Sequence, residues 1–259
     1  MSELLAYAVN PYGGAVVDCA ALTNDPEVFA RCLSGSLETW RAEGLVFAWL
    51  ELPAPLAALI PAALAAGFEY HHARPGALML GLKLVPGVDT LGFATHYVGA
   101  GGVVLTEDRR LLVVRERLRR VNRPQPFKLP GGYLEPREHL ARAVEREVWE
   151  ETGVRARFLS VACVRHWHAE RFGKSDFYFV CRLTPETLEV SPQEAEIAEA
   201  RWMDVDEFLS RDDVHAFNKG VVRQALQGPG LVSGWFEGYE ASREEREIFV
   251  QPHSDVHNR

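Results

Sequence analysis

The sequence has little cysteine and no excess of positive charge. Its 259 residues include four cysteines, which form no C-x-x-C pair and no cluster with metal-ligand spacing. Acidic residues outnumber basic residues by 36 to 28, which gives a formal net charge of −8. Proteins that coat a nucleic-acid duplex normally carry a basic excess, so we expect no duplex partner. A small anionic substrate remains compatible, because a bound divalent cation can reverse the field of an acidic pocket.

A long hydrophobic run and a basic leader are also missing. The most apolar stretch, residues 52–67, is too short to cross a bilayer and contains three prolines. The first residues lack the basic region and the cleavage site of a signal peptide. We therefore expect a cytoplasmic protein with no membrane partner.

The pattern of apolar residues indicates an α/β protein with two domains. For the first domain, residues 1–88, we predict two helices, at 25–43 with Asn24 or Asp25 near its cap, and at 55–66. Strands are predicted at 46–52 and 78–84. Proline and glycine punctuate residues 86–95 and mark the boundary. We predict a second domain at 95–235 and a C-terminal tail at 236–259.

The second domain alternates strands and helices in the same way. We predict strands at 97–106, 110–115, 158–167, 176–183 and 201–203, a helix at 138–154, and a C-terminal helix from Val205. The first two strands are separated by a short polar turn and are predicted to form a hairpin.

The helix at 138–154 has an acidic cluster that is unfavourable by itself. Glu147 lies three and four residues from Glu150 and Glu151, where like charges repel by about 0.2–0.5 kcal/mol each. The negative end of the helix dipole adds about 0.3–1 kcal/mol per charge. Glu151 is predicted to lie over the buried stripe, and Arg146 to point elsewhere on the helix. A hard cation such as Mg²⁺ would explain the cluster, and a solvated acidic face is the alternative.

The surrounding residues match a known signature at every fixed position. The pattern is Gly132, five residues, Glu138, seven residues, Arg146-Glu147-Val148, one residue, Glu150-Glu151, one residue, Gly153-Val154. This stretch resembles the signature of the Nudix hydrolases. The resemblance implies a mixed sheet between helices over about residues 95–228. The runs GFEYHHARPGALML and RHWHAERFGKSDFYFVCRL are similar to the two-domain plant and animal Nudix hydrolases, whose N-terminal domain resembles a small acyltransferase-like α/β fold.

The resemblance also implies roles for individual residues. The implied catalytic residues are Glu147, Glu150 and Glu151, as ligands of Mg²⁺ or Mn²⁺, and Arg146, as the arginine that orients the acidic cluster. Glu138 is implied as the acidic residue at the start of the helix. Gly131 and Gly132 fall in the loop that shapes the metal site and contacts substrate. The candidate general bases are Glu196 and one of the glutamates of the signature helix, and a solvated acidic loop is the alternative for Glu196. Arg165 and His168 are candidate substrate-binding residues, although alternation along a strand allows at most half of residues 165–168 to face the cleft.

The implied activity is metal-dependent hydrolysis of a pyrophosphate bond in a nucleoside-diphosphate derivative. Several plant members hydrolyse ADP-ribose or NADH, which makes these the candidate substrates. Positions 169–171 do not have the proline or tyrosine that assigns substrates elsewhere in the family. Family members are often dimers, so a homodimer is expected. One alternative is a module for ligand sensing or protein binding, but such modules usually lack one of the carboxylates of the signature. The other alternative is acyl transfer by residues 1–85, which have no convincing glycine-rich turn for binding a pyrophosphate.

Overall fold

The chain divides into two units, Met1–Ala94 and Thr95–Arg259. The structure, a computed structural model, describes residues 4–89, 91–117, 125–168 and 172–252. The division falls at the end of the predicted boundary region. Within these described ranges, no helix combines the length and the apolar character needed to cross a membrane.

The N-terminal unit is a five-stranded sheet with helices. Its elements are β1 (Tyr7–Val9), β2 (Gly14–Val17), α1 (Pro26–Ala42), β3 (Phe47–Pro53), α2 (Ile60–Ala65), β4 (Glu69–Arg74) and β5 (Ala77–Lys83). The strand order is β1-β2-β3-β5-β4, with β2 and β3 parallel and the other neighbours antiparallel. Side chains of α1, α2 and β3 form one buried core that includes Phe29, Trp40 and Leu50.

The first predicted helix is confirmed, and the second differs in its beginning. Asp25 caps α1 by accepting from the amides of Glu27 and Val28, and Pro26 occupies the first turn. The predicted helix at 55–66 is a 3₁₀ helix, Ala54–Leu59, followed by α2. Proline has no amide hydrogen, so Pro61 cannot donate the hydrogen bond that a continuous α-helix over residues 55–66 needs at that position.

The C-terminal unit has mixed sheets and three helices among its described residues. Its elements are β6 (His96–Val104), β7 (Arg110–Glu116), β8 (Gly131–Tyr133), α3 (Leu140–Thr152), β9 (Ala156–Trp167), β10 (Ser175–Pro185), β11 (Ile197–Asp204), α4 (Val205–Ser210), α5 (Ala216–Gln227), β12 (Val232–Ser233) and β13 (Phe249–Val250). One sheet has the order β8-β6-β10-β9, in which only β6 and β10 are parallel, and β7 pairs with β11.

The prediction that β6 and β7 pair as a hairpin is wrong, although the predicted turn between them is present. A tight turn does connect them, since the amide of Arg109 donates to the carbonyl of Thr106. However, β7 pairs with β11, and a single bridge between Leu105 and Leu111 joins it to the end of β6. A strand has two edges, and β8 and β10 already occupy both edges of β6.

The segment after Asp204 differs from the single predicted helix. It forms α4 and α5, and His215 begins α5 by accepting from the amide of Phe217. The described part of the predicted tail, residues 236–252, folds back onto this unit. β13 pairs with β12, and the Phe249 ring lies 5.5 Å from that of Phe158.

Candidate active site

The glutamates in the C-terminal half of helix α3 lie next to β8. The helix ends at Gly153, whose φ of 73° is a left-handed conformation that glycine adopts without strain. Glu151 is buried, with 8% of its surface exposed, in line with its predicted place over the apolar stripe. Val144 and Val148 of that stripe pack in the core with Ala100 and Val104 of β6. This packing fixes the glutamates next to the four-stranded sheet β8-β6-β10-β9, the main sheet of this unit.

Arg146 lies at the centre of the acidic cluster, so the prediction that it points elsewhere is wrong. Its Nε and Nη2 atoms donate to the two carboxylate oxygens of Glu138, both at 2.8 Å. Its Nη1 atom donates at 2.9 Å to both Glu147 and Glu150. A long arginine reaches along the helix surface to partners outside its own sector of the wheel. The guanidinium therefore offsets part of the repulsion among these glutamates.

Glu151 faces the turn before β8. Its Oε2 atom accepts from the amide of Gly131 at 2.9 Å, and its Oε1 atom lies 4.0 Å from Nζ of Lys128. The same Nζ is 2.5 Å from Oε1 of Glu116 on β7. Lys128 thus links the buried glutamate of α3 to an acidic side chain of the second sheet.

The burial of these groups changes their pKa values. Burial raises the pKa of Glu151 from 4.5 to about 7, against the opposing effects of Lys128 and the Gly131 amide. Burial also raises the pKa of Glu147, with Arg146 opposing it. The hydrogen bonds from Arg146 lower the pKa of Glu138. Glu147 and Glu151, two of the three implied metal ligands, are therefore held where burial disfavours their charged forms.

Gly131 and Gly132 allow β8 to approach this cluster. Gly131 has a φ of 151°, and a Cβ atom there would lie 2.2 Å from the carbonyl oxygen of Ala100. A Cβ atom on Gly132 would lie 2.6 Å from both carboxylate oxygens of Glu147. Any larger residue at either position would displace the neighbouring sheet or the carboxylate.

The donor chemistry of the cluster suits a hard divalent cation. Glu147, Glu150 and Glu151 offer carboxylate oxygens, the ligands that Mg²⁺ prefers. Glu151 is buried, and the Nζ atom of Lys128 lies 4.0 Å from its Oε1 atom. No three His, Cys, Asp or Glu side chains of the described ranges are gathered around one point for a metal. The fit rests on oxygen type, on burial and on the unfavourable charge.

Arg165 lies on the face of the main sheet that carries Tyr178. Its Nη2 atom donates at 3.0 Å to the buried Asp176, and its guanidinium carbon is 5.0–5.5 Å from the rings of Trp167, Tyr178 and Phe217. Burial and then the charge of Glu151 raise the pKa of Tyr178. Tyr178 therefore connects the surroundings of Arg165 to those of the glutamates.

The structure does not bring the other two candidates into this arrangement. His168 is exposed, contacts the His166 ring and bonds to Ser175, and within the described residues no contact joins it to Arg165. Glu196 is exposed, and its backbone carbonyl accepts from the amide of Arg117. The substrate-marker positions 169–171 lie outside the described residues.

Sequence analysis missed four residues around the site. Lys128 and Glu116 contact or lie near Glu151, Tyr178 faces the glutamates, and Glu247 accepts from the amides of Leu140 and Ala141 at the start of α3. Lys128 had a sequence signal, since it lies two residues before the Pro130-Gly131-Gly132 turn. Glu247 had none, because more than a hundred residues separate it from the helix that it caps.

Comparisons with known proteins match both units of the chain. A NUDIX domain model matches residues 95–225, and a Nudix hydrolase domain model matches residues 5–84. Nudix hydrolase 2 of Arabidopsis thaliana is 36% identical over 217 residues, covering 83% of this chain and 78% of that protein. Human Nucleoside diphosphate-linked moiety X motif 6 is 35% identical over 225 residues, covering 84% and 70%. Nudix hydrolase 8 of Arabidopsis thaliana is 38% identical over 202 residues, covering 77% of this chain and 55% of that longer protein.

Proposed function

Because this chain belongs to the Nudix hydrolase family, we propose that it cleaves the pyrophosphate bond of a nucleoside-diphosphate derivative in a reaction that requires Mg²⁺ or Mn²⁺. The observation that supports this most directly is the complete acidic cluster of α3. Glu151 is buried, Glu147 is half-buried, and burial raises the pKa of both. A module kept only for sensing has no need to maintain such an unfavourable arrangement of charge.

Glu147, Glu150 and Glu151 are the residues that would hold the metal. A bound Mg²⁺ supplies polarisation of the phosphoryl oxygens and lowers the pKa of a water molecule. Arg146 orients Glu147 and Glu150 through its Nη1 atom, and it holds Glu138 beside them. The amide of Gly131 fixes one oxygen of Glu151, and the other oxygen lies 4.0 Å from Nζ of Lys128. The protein thus positions its charges before substrate arrives.

In this proposal Lys128 stabilises the acidic region in the absence of a metal ion. Its ammonium group is 4.0 Å from Glu151 and 2.5 Å from Glu116, so it partly neutralises a buried acidic region when no cation is present. Glu196 is proposed as a general base on the family resemblance and on its place in the chain, directly before β11, whose first residue pairs with Glu116. Its side chain is exposed, and its approach to the metal ligands is therefore part of the proposal and not an observed contact.

Arg165 is proposed to bind a phosphate of the substrate. The carboxylate of Asp176 holds one end of its guanidinium, and aromatic rings on three sides limit its movement. Arginine binds phosphate through paired N–H groups, and a restrained side chain loses less entropy on binding. The similarity to a protein named for a nucleoside-diphosphate-linked moiety supports this substrate class, and ADP-ribose and NADH are the compounds that we would test first.

A substrate panel tests the proposal. Purified protein is incubated with ADP-ribose, NADH and other nucleoside-diphosphate derivatives, with Mg²⁺, with Mn²⁺ or with a chelator, and phosphate-containing products are measured. We expect turnover with either metal, none with the chelator, and a loss of at least about 100-fold in Glu150→Gln. Glu38→Gln, which changes an exposed glutamate of the N-terminal unit, is the matched control. No turnover on any diphosphate compound would favour the sensing or protein-binding module instead.

A further inference from the structure

Two histidines meet on the face of the main sheet opposite to Arg165. Strands β6 and β9 flank β10, and His96 of β6 and His166 of β9 reach toward each other across Phe177 of β10. Their Nε2 atoms are 3.0 Å apart. The Phe177 ring stacks with both imidazoles, at centroid distances of 5.0 Å and 4.3 Å. The catalytic proposal uses neither histidine.

Hydroxyl groups hold the outer side of this cluster. Nδ1 of His96 is 2.8 Å from Oγ1 of Thr95, and Nδ1 of the neighbouring His168 is 2.9 Å from Oγ of Ser175. When the Nδ1 atom of His96 donates to Thr95, its Nε2 atom has a free lone pair that points at His166. Metal-binding histidines are commonly oriented in this way, through a hydrogen bond from the ring nitrogen that does not bind the metal.

We propose that His96 and His166 form a binding site for a transition-metal ion, with Zn²⁺ as the ion that their chemistry favours. Imidazole nitrogen is a preferred ligand of zinc, whereas Mg²⁺ prefers oxygen. Two Zn–N bonds of about 2.0–2.1 Å at a tetrahedral angle place the nitrogens about 3.3 Å apart. The observed 3.0 Å requires the two rings to separate only slightly. Zinc takes the position between the Nε2 atoms, and solvent completes its coordination.

This site is separate from the carboxylate cluster of α3. His166 and Arg165 are consecutive residues of β9, so their side chains project from opposite faces of the sheet. The donors also differ in kind, nitrogen in one site and oxygen in the other. His166 is exposed and His96 is partly exposed, so an ion from solvent has access to both. The proposal does not depend on the catalytic one.

Titration of the untagged, metal-free protein with ZnCl₂ in a calorimeter tests the site. We expect one equivalent of Zn²⁺ to bind, and a loss of at least about tenfold in affinity in each of His96→Ala and His166→Ala. His72→Ala is the matched control, since it removes an imidazole from another histidine pair, in the N-terminal unit. Glu150→Gln separates the site from the carboxylate cluster. Both controls are expected to bind zinc as the wild type does.

A second measurement needs no variant. Diethyl pyrocarbonate modifies accessible imidazoles, and mass spectrometry then identifies the modified residues. We expect Zn²⁺ to protect His96 and His166 of the wild type from modification, and to leave His72 unprotected. Absence of zinc binding, equal binding by all variants, or loss of binding in Glu150→Gln alone would overturn the proposal. In that case the 3.0 Å contact is only a hydrogen bond between two neutral imidazoles.

Discussion

Replacing Glu151 with glutamine should stabilise the metal-free protein at neutral and alkaline pH. Folding raises the pKa of this carboxyl group from 4.5 to about 7, because burial disfavours its charged form. The stability linked to its protonated form is complete below pH 4.5 and is lost as pH rises through about 7. The difference between these two pKa values corresponds to about 3 kcal/mol of unfolding free energy. A glutamine side chain has about the same size as glutamate and keeps an oxygen that accepts from the Gly131 amide, but it does not ionise.

Urea denaturation at about pH 4 and about pH 8, in the presence of a chelator, measures this effect. The wild type should lose about 3 kcal/mol more than Glu151→Gln between the two pH values, since changes at distant groups cancel in the comparison. Added Mg²⁺ should restore stability to the wild type at about pH 8 and have less effect on the variant. Glu38→Gln, at an exposed position, should follow the wild type. An identical pH response in wild type and Glu151→Gln would refute the assignment of Glu151 as a buried, unfavourably charged group.

Three further variants test the surroundings of the cluster. Gly132→Ala places a Cβ atom 2.6 Å from the carboxylate of Glu147, so we expect kcat to fall by up to about 100-fold while the melting temperature changes little. Gly220→Ala, whose added Cβ atom meets nothing within 4 Å, should leave kcat unchanged and raise the melting temperature slightly, because alanine favours a helix interior over glycine. Normal kinetics in Gly132→Ala would contradict the close approach. Glu247→Ala removes the acceptor for the first amides of α3 and should lower the free energy of unfolding by about 1 kcal/mol in urea denaturation, whereas the exposed Glu244→Ala should not. Arg165→Lys keeps the charge beside its buried partner but loses the paired donors, so steady-state kinetics should show KM raised about tenfold with kcat nearly unchanged. A fall in kcat alone would argue against phosphate binding by Arg165.

Local patterns in the sequence predicted most of the longer elements. The cap at Asp25 and the proline after it begin α1 where expected, because both act on the backbone within one turn. The apolar stripe of α3 predicted its buried face, and with it the burial of Glu151. The resemblance to the Nudix signature was sufficient to identify the family, since it fixes residue types at many positions of one continuous segment.

Pairings between distant strands were beyond such patterns. Adjacency in the chain suggested that β6 and β7 form a hairpin, yet the edges of β6 pair with β8 and β10. The helical wheel misplaced Arg146, because a wheel gives the direction of Cβ and not the reach of a long side chain. The resemblance, in contrast, implied that Arg146 orients the acidic cluster.

The sequence by itself determined the family, the acidic cluster and the elements that present it, because each depends on residues close together in the chain. Only the tertiary structure decided what surrounds that cluster. Lys128 reaches Glu116 and approaches Glu151, Glu247 caps α3, and His96 meets His166 across a third strand. Such contacts join residues far apart in sequence, and they exist only because sheet pairing and core packing bring their backbones within a few ångströms of one another.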